Sequence, residues 1–186
     1  MGRLFYSMIV SADGYVADPE GRFDKWARPD EEVLEAVNED TADVGTFLYG
    51  RRMYEMMAVW ETDPAVQSQS PQSEVFARHW QSREKVVYST TLEEVGTRLT
   101  RLERGFAPQV VRALKETADH DLTVDGPTLA AEALRHGLVD EVHMLVCPIV
   151  IGGGLRMLPD FRLNLRLQTE RGFGNGMVQL KYSVGS

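Results

Sequence analysis

Several places in this sequence set a strand end, a small residue and a helix start in immediate succession. Each could hold an anion. In "VDGPTLAAEALRHGLVDEV", Val124 to Val142, a strand-like run stops at Asp125-Gly126 and Pro127 opens a helix. Proline suits the first helical position, where an N–H would lack an intrahelical partner anyway. Leu129, Ala130, Ala133, Leu134 and Leu138 share one helical face, and Gly137 is placed to close the helix in a left-handed conformation. The free N–H groups would point beyond the carboxyl end of a strand, where open α/β sheets bind ligands and where such donors favour a phosphate. The competing reading is an ordinary α/β turn that binds nothing.

"YGRRMYE" repeats the pattern with Gly50 at the turn and Arg51 and Arg52 opening the helix. Two cations there oppose the helix macrodipole by about 0.3–1 kcal/mol each. A bound anion would offset that cost, as would simple exposure to water. In "VVYSTTL" a strand ends in Ser89, Thr90 and Thr91, three hydroxyls that either bond a phosphate or cap the next turn. In "IVIGGGLRML" the glycines 152–154 permit close backbone approach to a ligand, or unusual dihedrals.

Asp125 is the awkward residue of this set. At an effective dielectric of 20, unit charges about 4 Å apart repel by about 4 kcal/mol. Its carboxylate is therefore expected to turn away from any phosphate, onto a backbone N–H or an arginine. After the first strand-like run, Asp24, Asp30 and Glu31 are the candidate proton donors, with water as an alternative. Trp26 is either a stacking wall for a flat ring or a core anchor.

Other chemistry is excluded. His79, His120, His136 and His143 lack metal-ligand spacing, and Cys147 is the single cysteine, which rules out an intramolecular disulfide and fits a reducing compartment. No G-x-G-x-x-G, G-x-x-x-x-G-K-[ST] or G-x-S-x-G occurs. The 28 acidic against 20 basic residues give a net charge of −8 with no Lys/Arg run, which argues against nucleic acid and anionic membranes as partners. Leu4–Val10 is too short for a signal peptide and no window approaches the roughly 18 apolar residues of a membrane span, so a cytoplasmic protein is expected.

The elements that must position these residues alternate. Strands are expected at Leu4–Val10, Val44–Tyr49, Lys85–Ser89, Leu122–Asp125 and Val142–Ile151. The last is nearly all apolar and so central, buried on both faces. Helices are expected at Asp30–Glu39, Arg51–Met57, Val110–Thr117 and Pro127–His136, with a turn or two at Glu74–Trp80 and a loop over Asp63–Ser73. "LNLRLQT" and "MVQLKYSV" alternate apolar and polar residues and flank Asn175-Gly176, a hairpin signature. The pattern predicts one domain over residues 1–186: an α/β fold with a mostly parallel sheet and an antiparallel edge.

In this order, "SADGYVA", "GRRMYE", "YSTTL" and "DGPTLAAEALRHGLVDEVHMLVCPIVIGGG" resemble the dihydrofolate-reductase-like superfamily, and within it the RibD C-terminal reductase branch. The resemblance covers almost the whole chain. It implies a three-layer fold with a central sheet of about eight strands and a C-terminal hairpin. It also implies NADPH as cofactor, a small-molecule substrate and a homodimer. By the same resemblance, Gly50, Arg51 and Arg52 lie near the cofactor phosphates and Ser89 and Thr90 near the adenosine 2′-phosphate. Gly126, Pro127, Thr128 and Leu129 lie under the pyrophosphate. Asp13, Gly14, Gly153 and Gly154 lie around the nicotinamide, and Trp26 at the substrate. The implied activity is hydride transfer to a polar heterocycle, as in 5-amino-6-(5-phosphoribosylamino)uracil reduction. A non-catalytic binder on the same fold and a dihydrofolate or pterin reductase are the alternatives. The chain departs from the family at Asp125, where two glycines are common, and it carries no zinc-deaminase signature H-x-E…P-C-x-x-C.

Overall fold

A computed structural model describes residues 1–185. The elements, in chain order, are β1 (Leu4–Ser11), β2 (Tyr15–Ala17), α1 (Glu31–Thr41), β3 (Val44–Gly50), α2 (Arg51–Met57), α3 (Val59–Thr62), α4 (Pro64–Gln67) and α5 (Pro71–Gln81). There follow β4 (Glu84–Tyr88), β5 (Thr100–Glu103), α6 (Pro108–Thr117), β6 (Asp121–Asp125), α7 (Pro127–Arg135), β7 (Glu141–Cys147), β8 (Leu155–Arg156), β9 (Asn164–Gly172) and β10 (Val178–Gly185). Eight strands form one sheet in the order β5-β4-β3-β6-β1-β7-β10-β9, and β2 pairs with β8 in a small second sheet. From β5 through β7 all neighbours are parallel, while β10 is antiparallel to both β7 and β9. The expected three-layer arrangement, with about eight strands and a terminal hairpin, is the one observed.

Local chemistry explains the helix boundaries. Asp30 caps α1 by accepting the Val33 N–H at 3.1 Å, and Glu31 and Glu32 follow in its first turn, where negative charge suits the dipole. Gly137 ends α7 at φ +62°, while Leu138 N–H reaches the Ala133 carbonyl at 3.0 Å in the left-handed closure that glycine favours. Ser70 and Pro71 start α5, so the stretch Asp63–Ser73 is not the expected loop but α4 and the first turn of an 11-residue helix. The strand expected over Val142–Ile151 ends at Cys147, because Pro148 cannot donate to a ladder; Val150 beyond it is 72% exposed. Within β7, Met144 and Val146 are only half-buried, so the strand is not sealed on both faces as expected. The hairpin reverses over Phe173–Gly176, with Gly176 at φ +86° and the Phe173 N–H donating to the Met177 carbonyl at 2.9 Å.

Two layers of helix enclose the sheet. Val111 of α6 and Leu129, Ala130, Ala133 and Leu134 of α7 pack with Leu4, Tyr6, Leu48, Leu122, Val124 and Val142 on one face. On the other, Tyr54 of α2 and Phe76 and Trp80 of α5 cover Phe5, Phe47, Tyr49 and Val87, while Val33 and Ala36 of α1 cover Leu145 and Cys147. Trp80 is fully buried and its Nε1–H donates to the Tyr49 hydroxyl at 2.9 Å, the partner a buried indole requires.

Candidate functional site

The carboxyl ends of the parallel strands carry nearly all the residues singled out above. At the boundary between β3 and β6 two helices begin side by side. A Cβ added to Gly50 would stand 4.0 Å from the Leu129 Cβ, and one added to Gly126 would stand 3.3 Å from the Met53 Cβ. Gly126 has φ +95°, a conformation that disfavours other residues, and it sits against Met53 besides. Neither α2 nor α7 has a side-chain cap, and neither has an acidic residue in its first turn. Pro127 offers no donor, but the N–H groups of Thr128 and Leu129 in the first turn of α7 have no intrahelical acceptor. The glycines, the uncapped donors and the basic residues beside them fit a dinucleotide phosphate in size and charge.

Asp125 closes β6 directly below this turn. Its side chain is 7% exposed, and Oδ2 accepts the Thr123 hydroxyl at 2.7 Å. Burial pushes its carboxyl up to about 7, against the Thr123 hydroxyl and the nearby Ser7 backbone N–H, which favour the charged form. The carboxyl's hydrogen-bond partner is thus a hydroxyl, not the backbone N–H or the arginine expected for it. Tyr6 and Tyr49 lie close by, and burial holds both phenols well above their usual range, with the Asp125 charge adding to the effect.

A second corner lies at the end of β4. Arg51 donates through Nη1 to the Thr91 hydroxyl at 3.0 Å and through Nε to Glu55 at 2.8 Å, so α2 is tied to the loop after β4. The Ser89 hydroxyl accepts the N–H groups of Thr91 at 3.2 Å and Leu92 at 2.9 Å; it caps the turn, the plainer of its two readings. Thr90 and Arg52 are exposed. Arg104, which the sequence reading missed, brings a third guanidinium here: it donates to the carbonyls of Ser89, Leu92 and Glu93. Its signal was weak because it follows β5, a four-residue edge strand in which only Leu102 is apolar.

The third cluster joins the loops after β1 and β7. Asp13 accepts the Ser11 hydroxyl at 2.7 Å and the N–H groups of Gly152 at 2.7 Å and Ile151 at 3.2 Å. Gly14 has φ +91°, and its carbonyl accepts Met157 N–H at 3.0 Å. Gly154 has φ +127°, and a Cβ there would meet the Ala17 carbonyl oxygen at 2.0 Å, so this glycine is required for β8 to reach β2. A Cβ added to the half-buried Gly153 would meet Pro19 Cγ at 3.7 Å, an ordinary contact.

The candidate acids lie in a different setting. Asp24 and Glu31 are exposed, and Asp30 is engaged as the cap of α1. Trp26 packs on the cluster of Val33, Ala36, Leu145, Cys147, Phe173 and Met177, the core-anchor reading. His143 stacks on Phe5 at 4.7 Å and bonds Glu141, a packed and paired residue. A cavity of about 650 Å³ opens at the opposite, amino-terminal edge of the sheet; of its charged walls Arg3 pairs with Asp121 and His120 with Asp119, while the buried Arg83 Nε has no hydrogen-bond partner among the described residues.

The comparisons with known proteins bear on the family and the fold. The model of a family described as the RibD C-terminal domain matches residues 3–179. The uncharacterized protein YyaP of Bacillus subtilis (strain 168) is 25% identical over 187 residues, spanning 97% of this chain and 94% of its own. A putative riboflavin biosynthesis protein from Shewanella sp. PV-4 superposes with a TM-score of 0.73 at 21% identity over 99% of both chains. A dihydrofolate reductase from Enterococcus faecalis, solved with NADP(H), superposes with a TM-score of 0.65 at 11% identity over 100% of this chain and 98% of that one. These two structures establish a shared fold.

Proposed function

Because this chain belongs to the RibD C-terminal domain family, we propose that it is a single-domain cytoplasmic reductase that uses NADPH to reduce a small polar heterocycle of pyrimidine or pterin type. The observation that carries the reading is the pairing of two uncapped helix starts at Gly50 and Gly126, close enough that Gly50 faces Leu129 and Gly126 faces Met53. When bound, NADPH supplies the hydride, and the protein's part is to place two carbons in contact and to exclude water. Thr128 and Leu129 N–H groups receive the pyrophosphate. Arg51, Arg52, Ser89 and Thr90, joined by Arg104, receive the 2′-phosphate. Asp13 holds the loops on which Gly14, Gly153 and Gly154 stand beside the nicotinamide. The substrate lies on the sheet face between α1 and α2, over the half-buried Ser7 and Ile9 of β1, with the Trp26 segment at its margin. A proton for the reduced product comes from Asp24, Asp30, Glu31 or water.

Titration with NADPH and NADH, followed by energy transfer from tryptophan to the nicotinamide, tests the reading. One added charge-assisted hydrogen bond contributes about 1.5–3 kcal/mol, so NADPH is expected to bind at least about tenfold more tightly. Equal affinities would remove the 2′-phosphate assignment. Turnover across a panel of pyrimidine and pterin substrates then separates a reductase from a binding protein on the same fold.

A further inference from the structure

Asp125 has a neighbourhood unusual for a carboxylate. It ends β6 one residue before Gly126, the N-cap of α7, and is nearly inaccessible to solvent. Among the described residues no cation pairs with it, and Arg52 of α2 is exposed. From β6 the Thr123 hydroxyl donates to it, and from β1 come the Ser7 backbone N–H and the Tyr6 phenol. From β3 comes the Tyr49 phenol, whose oxygen already accepts Trp80 Nε1–H. Helix α7 opens with Pro127, Thr128 and Leu129, all uncharged, and α2 presents Met53 to this turn while Arg51 is drawn off to Glu55 and Thr91.

We propose that Asp125 takes up a proton when a dinucleotide's phosphates dock at the turn between β6 and α7, so that cofactor affinity is tied to pH through this one carboxyl. The inference rests on the reading of the site given above. An anion arriving beside a carboxylate favours the neutral form of that carboxyl. The partner Asp125 already has, the Thr123 hydroxyl, lets it stay in place in either state: neutral, its OH can be shared with the Thr123 oxygen; charged, it accepts the Thr123 hydrogen. Burial has moved the free protein's Asp125 into the neutral range, to about 7, so the proton is available under ordinary conditions. The sign follows. Below that value the carboxyl is already protonated and affinity is flat. Above it, the bound state holds a proton the free state has lost, and affinity falls by up to about one decade per pH unit until the bound form's own higher value is reached.

Calorimetric titration of the whole protein with NADPH, near pH 7.5 in two buffers of different ionisation enthalpy, reads the proton directly. Net uptake and a dissociation constant about fivefold or more weaker near pH 9 than near pH 7 are expected. The NADPH 2′-phosphate titrates near about pH 6, below this window, and NADH serves as a control without that group. Asp125→Asn should lose both the uptake and the slope. Thr123→Val, which removes the hydroxyl favouring the carboxylate, should keep the slope and move it to higher pH, a displacement that loss of packing would not produce. NADPH binding without proton exchange in the natural protein, or an unchanged slope in Asp125→Asn, overturns the coupling and leaves the cofactor site standing. Failure to bind NADPH at every pH removes both.

Discussion

Asp13 Oδ2 accepts the backbone N–H of Gly152 at 2.7 Å, so one carboxylate fastens the loop after β1 to the loop after β7. The Ser11 hydroxyl, foremost, and the Gly152 and Ile151 N–H groups hold this carboxyl below the usual aspartate range. Two loops that are adjacent in space but 139 residues apart in sequence are thereby given one geometry.

The first prediction concerns that clamp. Asp13→Ala should leave the sheet intact and speed amide exchange at Ile151 and Gly152 on the order of tenfold, because each loses its only side-chain acceptor. Asp13→Asn, which keeps one acceptor oxygen, should fall between. Hydrogen exchange resolved to these amides checks it, and unchanged protection in the alanine variant would show that the loop holds itself.

A pair of glycines separates conformational strain from collision. Gly152 has φ +77° and nothing near its missing Cβ, whereas Gly154 has φ +127° and the Ala17 carbonyl in the way at 2.0 Å. Gly152→Ala should cost about 1 kcal/mol through its dihedrals alone. Gly154→Ala should cost roughly 3 kcal/mol or more, since β8 must also retreat from β2. Chemical denaturation of the two variants gives the comparison; equal costs would contradict the close approach.

The strand-to-helix turns were legible because glycine, proline and apolar spacing encode them locally, and α2 begins and ends where its residues indicate. What escaped the sequence depended on partners distant along the chain. β5 has one apolar residue and forms by pairing with β4; β2 and β8 are three and two residues long and exist through each other. The apolar run beyond Cys147 imitates strand, yet Pro148 ends the ladder. Asp125 was recognised as a problem, but its resolution by burial beside Thr123 and Ser7 requires the β1–β6 pairing.

One sheet face bears on assembly. On the side away from α1, Met144, Val146, Leu180 and Tyr182 are half-buried, and Leu167, paired with Tyr182 across β9 and β10, is 48% exposed. A homodimer that packs this face against itself would cover it. Sedimentation should give about twice the 20.9 kDa chain mass, and Leu167→Lys should shift the population to monomer. A natural protein that sediments at the chain mass at micromolar concentration would count against the dimer.

The last prediction concerns what Asp125 costs the fold. Its carboxyl titrates at about 7 when folded, against about 3.9 in an unfolded chain. For an acid whose folded value is raised, both states are protonated below about pH 4 and the group is neutral to stability. As pH rises, the unfolded chain ionises first, so the folded state loses ground until about pH 7, after which the penalty is constant. Three units at about 1.4 kcal/mol each set its ceiling at roughly 4 kcal/mol. Asp125→Asn removes this dependence but buries an amide whose N–H₂ group has fewer partners, a pH-independent cost of about 1–3 kcal/mol. The informative quantity is therefore a difference of differences: the stability of Asp125→Asn relative to the natural protein at pH 8, less the same quantity at pH 4. That subtraction cancels the amide cost and every titration common to both proteins. It should be positive and on the order of 2–4 kcal/mol by urea denaturation. A value near zero would mean that the carboxyl ionises freely in the folded protein, and that water reaches it beneath the turn.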